Sequence, residues 1–286
     1  MKKIRLFVLI AFYIFSPILA LAQGPGLRIH FIDVGEGDSI FVQAPDGETM
    51  LIDAGNLVTG FRVVRYLKQN GVRYLDYLIF THPHPDHIGG AFFVLQMIDT
   101  GRVFDNGQDL SRAMKSIDTY RWYNEFVRGN ENYDLLKAGD RLSLGKINFN
   151  VLRPAGPPPM VDFNANSLVM MLKYGKFRCL LTGDLTIVGE RKLMHQDIDL
   201  RADVLKVGHH GAGNATSEEF LGRVSPRIAI ISVDAGNIRG YPAKEVVARL
   251  MGAGVRVYRT DRDGNIILTV FQSEKGKPKI RVAVTR

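Results

Sequence analysis

The sequence has only one cysteine, Cys179, among 286 residues. A single cysteine excludes an intrachain disulfide, so an exported chain of this kind must draw its stability from a hydrophobic core, which this length can supply. Internal repeats, low-complexity segments and linker-like stretches are also missing. After the first 22 residues, no apolar run reaches the roughly 20 residues that a transmembrane helix needs. These absences favour a single large α/β domain.

The first 22 residues have the composition of a secretory signal peptide. Basic residues come first, an apolar stretch follows, and small residues at the end form a cleavage site. An uncleaved membrane anchor is the alternative, but Ser16 and Pro17 interrupt an apolar run that is already short for a span. We therefore expect a signal peptide over 1–22, one domain over 23–286, and export to a periplasm or to the cell exterior.

Strand-like and helix-like segments alternate along the rest of the chain in two β-rich halves. Predicted strands cover 27–34, 39–44, 49–53, 77–80, 146–152, 168–174, 177–182, 228–233, 255–259, 265–271 and 280–284. Predicted helices cover 57–69, 91–97, 110–128, 185–195 and 243–251, and a capping box at 216–219 opens one more. Each half is followed by helices, so two sheets between layers of helices fit this order best.

The most informative segment is residues 81–90, here called the histidine loop. Its four potential metal ligands, His82, His84, Asp86 and His87, are interleaved with two prolines, and a pair of glycines follows. Proline disfavours the α conformation in the residue before it, so we expect an extended segment in which alternate side chains point the same way. Imidazole with carboxylate suits Zn²⁺, Mn²⁺ or Fe. The segment therefore predicts a metal-dependent hydrolase.

Two later motifs resemble the histidine loop in their position at the end of an apolar strand. Asp184 follows one such strand, and the pair His209-His210 follows another. Taken alone, Asp184 is more simply explained as the N-cap of the next helix. Its occurrence together with the two histidine clusters favours a metal ligand instead.

These motifs, in this order, resemble those of the metallo-β-lactamase superfamily. The segments that carry the resemblance are Leu51-Ile52-Asp53-Ala54-Gly55, the histidine loop, Thr182-Gly183-Asp184 and His209-His210-Gly211. Residues 31–39 (FIDVGEGDS) and 206–211 (KVGHHG) resemble more narrowly the hydrolase domain of the competence protein ComEC. The resemblance extends over residues 27–284, and it implies a free-standing, exported relative of that domain.

The resemblance implies an α/β fold, the αβ/βα four-layer sandwich, with two divalent metal ions, Zn²⁺ or Mn²⁺, at one edge of the sheets. A metal-bridging hydroxide then attacks the substrate. The implied metal ligands are His82, His84, Asp86, His87, Asp184 and His209. The implied catalytic residues are Asp86, Asp184 and His210. Either residue of the His209-His210 pair can complete the second metal site, and Asp53 is expected behind the ligands, holding the histidine loop.

The sequence departs from the family pattern at positions near the predicted site. The third histidine of the first metal is absent, and Asn164 and Asn166 occupy that region. Ala212 stands where the ComEC-like branch usually has serine, and Tyr241 where it usually has histidine. Since an amide oxygen is a weaker ligand than imidazole, we expect the first metal to be held loosely, to be Mn²⁺ rather than Zn²⁺, or to bind only when a substrate supplies phosphate oxygens. We expect Asn164, Asn166 and Tyr241 near the ligands or the substrate.

Two further features have competing interpretations. Trp122 and Tyr123 lie among several arginines and lysines, which fits either a stacking platform with phosphate contacts or a solvated helix packed on the sheet. Lys206 either steadies a substrate phosphate or is simply solvated. His30 and His195 are expected to be structural.

The sequence therefore predicts an exported metal-dependent phosphodiesterase or nuclease acting on DNA. A mild basic excess beyond the leader gives weak support for a polyanionic partner. One alternative keeps the metals but changes the substrate to another phosphodiester, a lactone, an ester or a β-lactam. A second alternative is a binding module on a catalytically decayed scaffold.

Overall fold

The computed structural model describes residues 26–155, 162–273 and 276–286. The predicted signal peptide lies outside the described residues. The strands are Leu27–Phe31 (β1), Ile40–Gln43 (β2), Thr49–Ile52 (β3), Tyr74–Ile79 (β4), Asp99–Asp105 (β5), Tyr133–Leu135 (β6), Arg141–Leu144 (β7), Ile147–Arg153 (β8), Val169–Tyr174 (β9), Phe177–Leu181 (β10), Val204–Lys206 (β11), Ile228–Ile231 (β12), Arg256–Arg259 (β13), Ile266–Phe271 (β14) and Lys279–Val284 (β15).

Helices cover the outer face of each sheet. They are Gly60–Gln69 (α1), Pro85–Ile88 (α2), Ala91–Met97 (α3), Asp118–Trp122 (α4), Ile187–Met194 (α5), Glu218–Val224 (α6), Lys244–Gly252 (α7) and Thr260–Asp263 (α8). Shorter helical turns lie at 113–115, 123–127, 164–166 and 208–211. Among the described residues, no helix has the length and apolar character needed to cross a bilayer.

The strands form an eight-stranded and a seven-stranded mixed sheet. The first sheet has the order β15-β14-β1-β2-β3-β4-β5-β6, and the second has the order β13-β12-β11-β10-β9-β8-β7. Strands β3 to β6 run parallel to one another, as do β10 to β13. Parallel strands place the loops that follow them at the same edge of a sheet, which is where ligand sites form.

Three apolar layers hold the sheets and helices together. Residues such as Ile29, Phe149 and Leu172 fill the space between the two sheets. A second layer packs α1 and α3 onto the first sheet, and a third packs α5, α6 and α7 onto the second. The result is helix, sheet, sheet, helix, which confirms the predicted αβ/βα four-layer sandwich. Cys179 is buried in the central layer.

The structure corrects the predicted order of elements, and it adds the strands β5, β6 and β7, which the sequence did not predict. The two β-rich halves of the sequence do not each form a separate sheet, because β14, from the second half, joins the first sheet and pairs antiparallel with β1. Buried and partly exposed residues alternate along β14, so one face of this strand packs against the core. By pairing with β1, the strand also covers an edge of the sheet that would otherwise be open. The long helix predicted over 110–128 is broken into a turn at 113–115, α4 and a turn at 123–127.

Candidate metal centre

The candidate site lies where loops from both sheets meet. The loops after β3 and β4 carry Asp53 and the histidine loop, and the loops after β10 and β11 carry Asp184 and the His209-His210 pair. All four loops follow the carboxyl ends of parallel strands. Two sheets packed face to face therefore bring residues that are far apart in the sequence to one edge of the sandwich.

Asp53 anchors the histidine loop from behind. Its backbone has a positive φ of 57°, which is strained for a residue other than glycine, and its side chain is fully buried. One carboxylate oxygen accepts a hydrogen bond of 2.8 Å from the Thr81 backbone N–H, and the other accepts one of 2.7 Å from the Thr81 hydroxyl. The second oxygen also lies 2.8 Å from His87 Nδ1. This contact directs His87 Nε2 away from Asp53 and into the site.

The histidine loop is extended only in its first half. His84 has extended backbone angles, and Pro85 then begins the single turn of α2, which carries Asp86 and His87. The prediction that alternate residues share one side of an extended segment is therefore wrong for Asp86. Proline is well suited to the first position of a helix, where its missing N–H has no partner to lose. The turn delivers two adjacent ligands instead of alternate ones.

Four of the predicted side chains converge on a single cluster. Ligand atoms of Asp86, His87, Asp184 and His210 all lie within 4.8 Å of one another. Asp184 Oδ2 is 3.3 Å from His87 Nε2 and 3.3 Å from His210 Nε2. Asp86 Oδ2 is 3.4 Å from His210 Nε2. This is the set of imidazole and carboxylate donors that zinc, manganese and iron sites use.

The structure brings His210, and not His209, into this cluster. Both residues have positive φ, 47° for His209 and 54° for His210, so the backbone turns sharply between them. The His210 ring is buried, and its Nδ1 lies 3.0 Å from the Ser232 carbonyl oxygen, which leaves Nε2 facing the carboxylates. His209 instead lies 3.1 Å from both Asn164 Nδ2 and Asn214 Oδ1. The assignment of His209 as a metal ligand is replaced by His210 in this geometry.

A second group of candidate ligands shares Asp184 with the first. It consists of His82, His84 and Asp184, whose ligand atoms also lie within 4.8 Å of one another. His82 Nε2 is 3.7 Å from Asp184 Oδ2 and 3.0 Å from His84 Nδ1. Asp184 therefore lies between the two groups, in the position expected of a carboxylate that bridges two metal ions.

The two asparagines near the first group differ in their surroundings. Asn164 lies beside the site, and its side-chain oxygen is buried without a hydrogen-bond partner. Asn166 points elsewhere, because its side-chain nitrogen donates to Gln108 Oε1, while its backbone carbonyl oxygen accepts from the Asn106 side chain. Of the two amides predicted near the missing histidine, Asn164 is the one that remains available to the site.

The donors of the first group, with the shared Asp184, fit a metal ion. His87 Nε2, His210 Nε2 and Asp184 Oδ1 are buried without hydrogen-bond partners, although buried polar atoms are normally paired. The two imidazole nitrogens lie close to Asp184 Oδ2 without the alignment of a hydrogen bond. Two ligands that are each about 2.0 Å from a tetrahedral ion lie roughly 3.3 Å apart, which is the separation found here.

The cluster also shifts the pKa values of its members. Burial lowers the pKa of His87, but the Asp184 and Asp53 carboxylates outweigh burial and hold it well above its usual range. The same balance, with Asp184 as the main partner, raises the pKa of His210 to about 10. Burial lowers the pKa of His82 well below its usual range. A metal ion at these nitrogens would displace protons from His87 and His210, so metal binding would be accompanied by proton release.

A buried ion pair lies beneath the cluster and was not expected from the sequence. Lys206 Nζ is 2.9 Å from Asp38 Oδ2 and donates 2.8 Å to the Val207 carbonyl oxygen, and both charged side chains are buried. Asp38 Oδ1 is 3.8 Å from His210 Nδ1. From this position Lys206 cannot reach a substrate phosphate, nor is it solvated. It balances a carboxylate that packs against the ligands.

Other predicted residues lie at the rim of the site. The Tyr241 ring is 5.5 Å from the His209 ring, and its backbone is held by the Asn237 side chain. Two residues before Tyr241 in the chain, Arg239 forms an exposed ion pair of 2.9 Å with Glu36. Tyr241 therefore packs against His209, outside the cluster of carboxylates and imidazoles.

The aromatic and basic segment at 122–128 has two different roles. Tyr123 is fully buried and donates 2.9 Å to Asp105, and Arg128 donates 2.8 Å to the same carboxylate. These two residues are therefore structural. Trp122 lies on the outer side of α4, against Phe92 and Phe126. Asp105, which holds this segment, was not singled out in the sequence, since its partners are distant along the chain.

The sequence matches the family described as the Metallo-beta-lactamase superfamily over residues 32–235. Among curated proteins, it is 34% identical to ComE operon protein 3 of Bacillus subtilis over 84% of this chain and 32% of that protein. It is 29% identical to competence protein ComA of Neisseria gonorrhoeae, over 81% of this chain and 30% of that protein. It is 29% identical to recombination protein 2 of Haemophilus influenzae, over 87% of this chain and 29% of that protein. The chain thus spans about a third or less of the length of these relatives.

Solved structures show the same fold at low sequence identity. CmlA, a diiron β-hydroxylase from Streptomyces venezuelae, has a TM-score of 0.56 and 15% identity, over 86% of this chain and 54% of that one. A metallo hydrolase from the archaeon Ignicoccus hospitalis has a TM-score of 0.51 and 15% identity, over 89% of this chain and 98% of that one. The sequence matches confirm the resemblance to the superfamily and to the competence proteins, and the structure matches confirm the fold.

Proposed function

The chain belongs to the metallo-β-lactamase superfamily, and we propose that within it this protein is a metal-dependent phosphodiesterase that acts on nucleic acid outside the cytoplasm. The observation that carries the proposal is the position of Asp184 Oδ2. Three imidazole nitrogens, those of His82, His87 and His210, lie within 3.7 Å of this one oxygen. A carboxylate between two sets of histidines is the arrangement required to hold two metal ions close together.

Divalent metal ions bound here would supply Lewis acidity, which activates water and stabilises negative charge on a phosphoryl or carbonyl oxygen. The protein's own contribution is to fix the donors. Asp53 holds His87 with its Nε2 toward the site, and the Ser232 carbonyl oxygen does the same for His210. Burial of His82, His87 and Asp184 excludes bulk water from the donors and strengthens their interaction with a cation. Asp86 is 19% exposed and is the carboxylate nearest the opening.

Two observations support nucleic acid as the substrate. Two of the curated relatives are named competence protein ComA and recombination protein 2. The chain carries a net positive charge, which favours a polyanion. Export rests on the predicted signal peptide. A carbonyl substrate fits the same donors, since metal Lewis acidity serves both reactions, but no contact in the site favours it.

The proposal is tested by incubating the protein with single-stranded and double-stranded DNA in the presence of Mn²⁺ or Zn²⁺. We expect cleavage that chelation abolishes and that His84→Ala reduces by at least about 100-fold, since a lost metal donor removes charge stabilisation. His195→Ala is the matched control, because His195 is exposed at the end of α5 and away from the cluster. Absence of cleavage by the wild type, or equal cleavage by His84→Ala, contradicts the proposal.

A panel of phosphodiester, ester, lactone and β-lactam substrates then separates the nuclease from other hydrolases of the same superfamily. Hydrolysis of a non-nucleic-acid substrate without DNA cleavage would replace the substrate but keep the site. Failure to retain metal at all would indicate a decayed scaffold with a binding role.

A further inference from the structure

Five aromatic side chains form a continuous row on the helical surface of the first sheet, here called the aromatic ladder. They are Phe61 of α1, Phe92 and Phe93 of α3, Trp122 of α4 and Phe126 of the turn that follows. In space the row runs from Phe61 to Phe93, Phe92, Trp122 and Phe126, and the centroids of neighbouring rings in this order are 6.3, 5.2, 5.5 and 5.8 Å apart. The rings of the last pair are stacked, with planes 21° apart. Exposed rings in such a row are unusual on a soluble surface and mark a binding site.

Much of the ladder is open to solvent. Phe126 is 60% exposed, Phe61 51% and Phe92 36%. Between Trp122 and the phenylalanines of α3 lies a cleft of about 420 Å³, which Leu57 and Thr119 help to line. A cleft of this size accommodates a planar ring system of the size of a nucleobase, held against flat aromatic faces.

The ladder lies directly beside the candidate metal centre. Gly89, in the histidine loop, forms part of the cleft wall. On the other side of α4, the ring of Tyr120 is 6.1 Å from that of Phe163, which in turn is 5.3 Å from the ring of His84. A strand lying in the cleft would therefore have its next nucleotides near the metal donors.

The segments that carry the ladder have a positive charge. Residues 57–69 and 110–126 together hold six basic side chains and two acidic ones, Asp118 and Glu125. Asp118 is itself paired with Arg121. Helix α3, between them, has no charged side chain. Apolar rings flanked by cations are the combination that binds bases and phosphates of an unpaired strand.

We propose that the aromatic ladder binds the unpaired bases of a single-stranded nucleic acid and leads its phosphates to the metal centre. The inference rests on the proposed function, since it names the form of substrate for the same site. Stacking requires bases whose faces are free, and in a duplex neighbouring base pairs cover those faces. The ladder therefore predicts a preference for single strands over duplexes of the same sequence.

Trp122 provides a direct test because it is the only tryptophan in the chain. The metal-loaded protein is titrated with a phosphorothioate oligonucleotide of about 12 nucleotides, which resists hydrolysis, while tryptophan emission is recorded. We expect the single strand to quench the emission, and the duplex and an abasic strand with the same phosphates to leave it nearly unchanged. Equal quenching by the abasic strand or the duplex, or none by the single strand, overturns the proposal.

Variants separate stacking from general hydrophobic contact. Phe92→Leu and Phe126→Leu keep an apolar side chain but remove the flat ring, so each is expected to weaken single-strand binding about tenfold. Tyr74→Leu is the matched control, since Tyr74 is a 50% exposed aromatic residue at the start of β4, the end of the strand opposite the histidine loop. An equal effect of Tyr74→Leu contradicts a role for the ladder.

Two other binding partners of the ladder would give different results in these experiments. A shift of the tryptophan emission with anionic lipid vesicles, and none with oligonucleotides, would indicate a membrane surface. An increase in mass with concentration that Phe126→Leu abolishes, without oligonucleotide binding, would indicate a second copy of the chain. Either result overturns the proposal.

Hydrolysis of bis(p-nitrophenyl) phosphate, which lacks bases, distinguishes failure of the inference from failure of the function. If the protein hydrolyses this probe but shows no base-dependent quenching, the ladder is not a nucleic-acid site and the phosphodiesterase remains. If quenching occurs without hydrolysis of any probe, the proposed function fails and the ladder remains as a binding surface.

Discussion

At the scale of single residues, the candidate site depends on backbone positions as much as on its ligands. Gly37, in the loop after β1, has a φ of 111° and lies against the backbone of the histidine loop. A Cβ atom at Gly37 would come within 1.9 Å of the Asp86 carbonyl oxygen. The glycine therefore permits the close approach that brings Asp38 and Asp86 to the same side of the site.

This close approach predicts a specific cost for Gly37→Ala. Gly47 is a matched control, because it has a similar φ of 101° but no heavy atom within 4 Å of the position of an added Cβ. We expect Gly37→Ala to lower the free energy of unfolding by about 1–3 kcal/mol more than Gly47→Ala, since only the first adds a steric clash to the φ strain. Urea denaturation of both variants measures the difference. Equal losses would mean that the histidine loop yields to the extra methyl group.

The residue scale also shows where the sequence is informative. The motifs and their order along the chain predicted five of the six clustered positions, His82, His84, Asp86, His87 and Asp184, and left the sixth open between His209 and His210. The choice between His209 and His210 depended on two consecutive positive φ angles, which only a folded backbone reveals. The pairing of Lys206 with Asp38 joins residues 168 positions apart, so no local pattern could indicate it.

At the scale of elements, periodicity predicted most strands, and long-range contacts decided the rest. The capping box predicted at 216–219 is an example. Ser217 is the N-cap of α6, with its hydroxyl accepting from the Phe220 N–H, and Glu190 of α5 accepts from the Thr216 and Ser217 N–H groups. A carboxylate from another helix thus performs the role that the sequence assigned to Glu219. Local signals located the start of the helix but could not identify this partner.

The packing of α1 on β1 yields a prediction about pH. His30 of β1 is buried, with Nδ1 2.8 Å from the Tyr66 hydroxyl of α1 and Nε2 unpaired. Burial, with a smaller effect of Arg28, lowers the pKa of His30 to about 4. The unfolded state therefore binds the proton more readily, so stability is full above a pH of about 6.5 and falls as the pH drops through about 4.

We expect this histidine to account for about 3 kcal/mol of the stability lost between pH of about 7.5 and about 4. The measurement is urea denaturation at both pH values for the wild type and for His30→Gln, which cannot take up the proton. The loss with falling pH should be smaller in the variant by roughly that amount, while titration of the metal-centre histidines affects both proteins alike. An identical pH dependence would show that His30 ionises equally in the folded and unfolded states.

At the scale of the whole molecule, the fold explains why the site is assembled from both halves of the sequence. The first sheet supplies Asp53 and the histidine loop, and the second supplies Asp184 and His210. The alternation of strands and helices was enough to predict the layers. It was not enough to predict that β14 and β15 join the first sheet, because β14 pairs with the backbone of β1, a strand that lies more than 200 residues earlier in the sequence.

The central claim is that the two groups of side chains sharing Asp184 hold two metal ions. Elemental analysis of the purified protein after reconstitution with Mn²⁺ or Zn²⁺ and removal of excess metal tests it most directly. We expect about two metal ions per chain in the wild type and in His195→Ala, and about one in His84→Ala, since that substitution removes a donor from only one group. About one metal ion or fewer per wild-type chain, or an unchanged content in His84→Ala, would contradict the claim.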